Sequence, residues 1–152
     1  LTRILFNEFF VNAHVNQTSY WRNFIEFSSG KKNANEYNSY FDGNVNNIMS
    51  LADFFEVSGT RGSSAYIWGD YPWLYAIADL KNPSRYVTSF HVFGVPNGRE
   101  EVISDLMEMP PEYIIKPPSS IGYFDQLEKL ISQDYTLRSK IGNSDVYVKR
   151  AM

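Results

Sequence analysis

The sequence predicts an α/β fold, a mostly parallel sheet with helices on both faces. Three observations carry that prediction. The run Ala65-Tyr66-Ile67-Trp68-Gly69-Asp70-Tyr71-Pro72-Trp73-Leu74-Tyr75 reads as a strand passing directly into a helix. Helical and strand patterns then alternate through the rest of the chain, as a sheet with crossover helices requires. Gly142-Asn143 joins two strand-like runs in the manner of a hairpin, which adds an antiparallel edge at the C-terminus. Together these make a three-layer, Rossmann-like sandwich preceded by N-terminal helices.

Residues 1–29 read as two helical pieces. Ile4, Leu5, Phe9 and either Phe6 or Phe10 share overlapping faces, and Asn16-Gln17-Thr18-Ser19 interrupts before Tyr20, Phe24, Ile25 and Phe27. Thr18 or Ser19 suits the cap of the second piece, and Gly30 its end. Asn16-Gln17-Thr18 also has the form of a glycosylation acceptor, a triplet that chance often produces in an Asn-rich chain. Lys31 to Asp42 is polar and Asn-rich and reads as a long loop. The division expected is therefore an N-terminal helical and loop segment, 1–43, packing on an α/β domain, 44–152.

Within that domain Ile48, Leu51, Ala52 and Phe55 repeat at i, i+3, i+4, i+7, which predicts an amphipathic helix to about Val57. After the turn at Ser58–Ser63 come a strand at Ala65–Trp68 and a short helix at Pro72–Asp79. Asp70 is placed to cap that helix, and Pro72 fits its first turn, where a missing N–H costs nothing. Asn82-Pro83 forces a turn. Arg85–Phe93 alternates like a second strand. Val102, Ile103, Leu106 and Met107 mark a helix that Pro110-Pro111 stops. Glu112–Lys116 is the next strand, Phe124 to Ile131 another helix, and Tyr135–Ile141 with Asp145–Lys149 the hairpin.

Composition narrows the function. The 152 residues carry a net charge of −3 with no basic run longer than two, which argues against a nucleic-acid partner. There is no cysteine, and His14 and His91 are the only histidines, so neither a thiolate nor a His-rich metal site is expected. No apolar run approaches the ~20 residues that span a bilayer, and no signal-peptide pattern is visible. The start at Leu1 rather than Met leads to the expectation of a piece of a longer protein. Aromatic residues are 16% of the chain, which fits either an aromatic core or a surface that meets sugar rings or a membrane interface.

Dinucleotide binding needs a Gly-rich first turn, yet here the turn is Gly69-Asp70-Tyr71-Pro72, with one glycine, an acid and a proline. The P-loop and Gly-x-Ser-x-Gly patterns are absent as well, and no cofactor is expected. Glu100, Glu101, Asp105 and Glu108 lie at helical spacing beside Val102, Ile103 and Leu106 and read as a solvated helix face. His91 reads as structural. Arg85 and Lys116 fall at predicted strand ends, where a positive charge suits an anionic group, against the reading of a surface cation or a salt bridge to Asp70 or Asp79.

A series of short motifs runs nearly the whole chain. They are Tyr20 and Phe24; Tyr37 and Phe41; Leu51-Ala52; Ile67-Trp68-Gly69-Asp70, Pro72 and Leu74-Tyr75; Pro83-Ser84-Arg85-Tyr86; Pro111-Glu112-Tyr113-Ile114-Ile115; Tyr135; and Val146-Tyr147. In this order they resemble the C-terminal extracytoplasmic region of bacterial polytopic (GT-C type) glycosyltransferases, similar to protein mannosyltransferases and lipid A aminoarabinose transferases. The resemblance implies a parent enzyme that moves a sugar from a polyprenyl-phosphate donor to an acceptor on the outer face of the cytoplasmic membrane. That family's catalytic carboxylates lie in an early loop between transmembrane helices, so no catalytic residue is carried over to this chain. The implied role is an accessory, soluble extracytoplasmic domain that shapes the acceptor side or supports folding. Its implied partners are the transmembrane part of the same polypeptide, a glycan or lipid-linked sugar, and the membrane surface. The expected contact surface is Trp68, Asp70, Tyr71, Trp73, Tyr75 and Arg85, against a reading in which Trp68 and Tyr75 are core and Asp70 only a cap. A stand-alone carbohydrate or small-molecule binding module is the alternative.

Overall fold

The computed structural model describes residues 17–118 and 122–151. The helix expected around Ile4–Phe10 and Asn16 of the acceptor triplet lie outside the described residues. The chain divides into two compact units, Leu1–Asn46 and Asn47–Met152.

In the first unit a helix, α1, covers 17–28. Its Asn23 is buried, donating to the carbonyl of Tyr37 at 3.1 Å and accepting from Lys32 Nζ at 3.0 Å. Phe27 stacks on Tyr37 with ring centroids 4.4 Å apart, and Tyr37 meets Phe41 edge-on at 5.1 Å. The segment expected to be one long loop contains a short helix, α2 (Ala34–Asn38). Its start is a capping box: the Asn33 side chain accepts from the Glu36 N–H, and the Glu36 carboxylate accepts from the Asn33 N–H. The Asn-x-x-Glu spacing was visible in the sequence and was masked by the polar composition around it.

In the second unit, α3 (Val45–Val57, entering from the first) buries Leu51, Ala52 and Phe55, the expected stripe. There follow β1 (Ala65–Ile67), α4 (Pro72–Ile77), α5 (Ser89–Gly94), α6 (Gly98–Glu108), β2 (Tyr113–Lys116), α7 (Asp125–Asp134), β3 (Tyr135–Ile141) and β4 (Ser144–Lys149). The four strands form one mixed sheet in the order β1-β2-β4-β3. Only β1 and β2 are parallel; β4 runs antiparallel to both β2 and β3.

The expectation of a mostly parallel sheet is therefore corrected. The strand that would have made it so, Arg85–Phe93, is an irregular segment leading into α5. The physical reason lies at the outer edge of β1. Its Ala65 N–H donates to the Lys81 carbonyl at 2.9 Å, and its Ile67 N–H donates to the Tyr75 hydroxyl at 2.9 Å. With those donors satisfied, β1 has no call for a further strand on that side. Thr88 and Gly94 then bracket a helical turn, a start and stop signal that the alternation of Tyr86, Thr88, Phe90 and Val92 concealed.

Side chains alternate across the sheet and feed two clusters. Ala65, Ile67, Tyr113, Ile115 and Val146 pack with Leu51, Phe55 and Leu74 from α3 and α4. Tyr66, Trp68 and Ile114 pack with Val102, Leu106, Leu127 and Ile131 from α6 and α7. Strands buried on both faces explain why β1 and β2 read as continuous apolar runs.

Candidate functional site

The carboxyl ends of the parallel pair β1–β2 form the candidate site, the edge where open α/β sheets present their ligands. Trp68 leaves β1 with its N–H on the Ile115 carbonyl at 2.8 Å. Gly69 follows because nothing larger fits: a Cβ there would lie 2.2 Å from Pro117 Cγ. The Gly69 carbonyl accepts from Ser89 N–H at 3.2 Å, and Asp70 Oδ1 accepts from Ser89 Oγ at 3.0 Å and from Phe90 N–H at 3.3 Å. Asp70 thus ties the β1 exit to the first turn of α5. It does not cap α4, as the sequence led us to expect: the residue at that position is Tyr71, and no side chain caps the helix.

The six expected contact residues separate into distinct environments. Trp68 is buried, its ring 5.0 Å from Phe124 and 5.5 Å from Phe93. Tyr71 is buried too, its hydroxyl accepting from Asn47 Nδ2 at 3.1 Å. Both are core residues, which corrects their assignment to a surface. Tyr75 is half-buried with its hydroxyl committed to the Ile67 N–H, and burial pushes its pKa well above the ordinary phenol value. Arg85 is exposed, and its Nη2 reaches Tyr86 Oη at 2.8 Å and Glu101 Oε2 at 2.7 Å, while the Tyr86 hydroxyl donates to the same Glu101 oxygen at 2.8 Å. Of the readings weighed for it, Arg85 is a surface cation, and its ion pair is with Glu101 rather than Asp70 or Asp79. Its guanidinium is held still more firmly charged by Tyr86 first and by the Glu101 carboxylate second.

Two of the six remain available at the edge. Trp73, in the first turn of α4, is 72% exposed. Asp70 is half-buried, and only its Oδ1 is used; Oδ2 takes no hydrogen bond from the described residues. The structure adds aromatic residues beyond those six, Phe90 beside Asp70 and Phe93 beside Trp68. Phe90 is exposed one residue beyond Ser89, directly on the Asp70 carboxylate through its N–H. Phe93 lies against Gly122, where a Cβ would come within 2.9 Å of its ring, and the adjoining Tyr123 is exposed. The signal for Phe90 was the Thr88-Ser89 start and Gly94 stop of α5, which set it on a helix surface rather than in a strand.

The other sequence candidates are accounted for by local pairing. Lys116 forms an ion pair with Glu128 of α7. His91 Nδ1 and Thr88 Oγ1 lie 2.7 Å apart across the first turn of α5. Among the described residues no cluster of three His, Cys, Asp or Glu is placed to hold a metal ion, and no helix is long and apolar enough to cross a membrane. Chemically, the edge offers an open indole face, exposed aromatic rings and one carboxylate oxygen without a partner among the described residues, a set suited to stacking on and hydrogen bonding to a polar ring. Searches for a matching protein family, a matching characterised protein and a matching solved structure each found none.

Proposed function

We propose that this chain is an accessory, extracytoplasmic domain of a membrane glycosyltransferase that uses a polyprenyl-phosphate-linked sugar, and that it contacts glycan through the Trp73–Asp70 edge without performing the chemistry. The observation that carries the reading is an indole 72% exposed in the first turn of α4, three residues after a half-buried carboxylate with one oxygen that has no partner among the described residues. An exposed indole face stacks on the apolar face of a sugar ring, and a carboxylate accepts from its hydroxyls. The motif order from Tyr20 to Tyr147 supplies the family assignment. The two apolar clusters on the β1–β2–β4 sheet support a three-layer, Rossmann-like reading with one parallel pair at the β1 edge of the sheet.

A second reading, a stand-alone carbohydrate or small-molecule binding module, draws on one fact. The edge residues named above all belong to the unit Asn47–Met152.

Titration of the chain with soluble oligosaccharides and a short-chain polyprenyl-phosphate sugar, read by tryptophan fluorescence, tests both. The expected result is saturable binding that Trp73→Ala weakens about tenfold and Asp70→Asn weakens less. No saturable binding, or binding indifferent to Trp73→Ala, overturns the assignment of this edge. The reading frame upstream of Leu1 separates the two readings. Multiple apolar spans of ~20 residues support the membrane enzyme, and their absence supports the module.

A further inference from the structure

At about 100° per residue, helix α1 has three faces. Tyr20, Asn23 and Phe27 share one, on which Asn23 bonds Tyr37 and Lys32, Phe27 stacks on Tyr37, and Tyr20 meets Phe41 at 6.0 Å. Arg22 and Glu26 share a second. Trp21, Phe24 and Ile25 make up the third, at i, i+3 and i+4, and they are 58%, 43% and 59% exposed. The packing inside this unit is thus satisfied by one face, and the third face, apolar at Trp21, Phe24 and Ile25 with Gln17 and Ser28 at its two ends, is exposed. The exposed Tyr40 and Phe41 extend the same unit's aromatic surface.

We infer that this face seats α1 on a lipid bilayer surface, in the interfacial plane rather than across it. The inference names the membrane-contacting element that the proposed function requires, but it rests on α1 alone. Three features favour lipid over a protein partner. Trp21, at the centre of the face, is of the interfacial type: its ring combines an apolar body with a polar N–H and concentrates at the headgroup level. The charge suits an anionic headgroup layer, because Glu26, the single acid of 17–28, is already paired with Lys32 at 2.9 Å, and Arg22 and Lys31 add positive charge near it. The area is small for a dimer. Three partly exposed side chains present on the order of a few hundred Å², against the ~800 Å² per partner of a standard protein interface. The sequence that runs into the helix, with Ile4, Leu5, Phe6, Phe9, Phe10 and Val11, continues the apolar character.

The test is co-sedimentation of the full chain with vesicles of phosphatidylcholine alone and of phosphatidylcholine mixed with phosphatidylglycerol. Binding is expected to both, tighter to the mixed vesicles. Replacing Trp21, Phe24 and Ile25 together by serine should weaken it about a hundredfold, and Arg22→Gln should weaken it about fivefold, on the mixed vesicles only. A chain carrying Trp73→Phe should also show its tryptophan emission shifted to the blue on binding and quenched by brominated lipid, a shift that vanishes when Trp21→Phe is added. No vesicle association, or association unchanged by the triple substitution, overturns the inference. So does concentration-dependent self-association of the chain that the triple substitution abolishes while vesicles leave it unbound. Failure of the glycan titration leaves these outcomes untouched, because none of them reads the Trp73–Asp70 edge.

Discussion

Two helices of this chain carry similar amphipathic patterns and meet opposite fates. In α3 the stripe Leu51, Ala52 and Phe55 is buried against β1, β2 and α4. In α1 the stripe Trp21, Phe24 and Ile25 faces outward, and a different side, centred on Asn23 and Phe27, holds the helix in place. Periodicity reports that a helix has an apolar side; it does not report what covers it. The polar residues settle the matter. Asn23 and Asn47, each on the side of its helix that faces protein, are bonded within their own units to groups distant in sequence.

The comparison breaks first at Phe55. It is fully buried, edge-on to Tyr113 at 5.2 Å and to Phe54 at 5.3 Å. Phe55→Ala is expected to destabilise the chain by about 3–5 kcal/mol, transfer and cavity terms together. Urea denaturation followed by tryptophan fluorescence in a chain that keeps only Trp68 (Trp21→Phe, Trp73→Phe) measures it. A loss comparable to that of an exposed site would mean that α3 is not covered at Phe55.

Asn47 comes next. Its Nδ2 donates to the Tyr71 hydroxyl at 3.1 Å and to Ser144 Oγ at 2.6 Å, and its Oδ1 accepts from the Asn143 N–H at 3.2 Å. One side chain therefore joins α3, the entry to α4 and the β3–β4 turn. Asn47→Ala leaves the buried Tyr71 and Ser144 hydroxyls without that partner and should cost about 1–3 kcal/mol. Asn47→Asp retains the acceptor and loses the donor, so it should fall between the two. Equal stability of all three chains would show that the polar contacts of α3 do not lock the fold.

The elements that sequence made legible are those decided by local signals. Gly142-Asn143 set the hairpin, the Leu51–Phe55 stripe set α3, and Pro110-Pro111 marked the end of α6. Arg85–Phe93 was misread because its alternation is genuine, while the deciding contacts are remote: Tyr75 and Lys81 satisfy the edge of β1 that a new strand would need. At the candidate site, Trp73 was legible as an aromatic in the first turn of α4. Trp68 and Tyr71 were not separable from it, because all three lie in one short aromatic run and only tertiary packing divides core from surface. Phe90 and Tyr123 were missed for the same reason as α5, since their place at the edge depends on Asp70 bonding across to Ser89 and on Gly122 packing against Phe93.

Alkaline pH tests the buried tyrosines of the second unit. Burial raises the Tyr135 hydroxyl to about 12 from its ordinary 10, and its proton is donated to the Pro111 carbonyl at 2.8 Å. Burial also raises Tyr66 and Tyr75. A folded-state pKa above the unfolded one favours the protonated form in the native state. The stabilisation is therefore complete below about pH 10 and is lost as pH rises toward 12 and beyond. The melting temperature should stay level through neutral pH and fall above pH 10. Tyr135→Phe should be less stable at neutral pH and decline less steeply. An alkaline limb identical in the two chains would remove Tyr135 from the account.

Trp21 carries the smallest expected effect on stability and the sharpest contrast with Phe55. Its ring meets Tyr20 at 5.8 Å and Phe24 at 6.2 Å, both within the same helix, and more than half of its surface is open. Trp21→Ala should change the unfolding free energy by less than about 0.5 kcal/mol, the range of exposed sites away from special features. A large aromatic that costs almost nothing to remove is not held there by the fold, which is the condition for assigning it to an outside surface. If Trp21→Ala instead destabilises the chain as a core truncation does, by about 3–5 kcal/mol, then α1 is covered by protein in solution. The two helices would then share one fate, and the membrane-facing role of α1 would lose its premise.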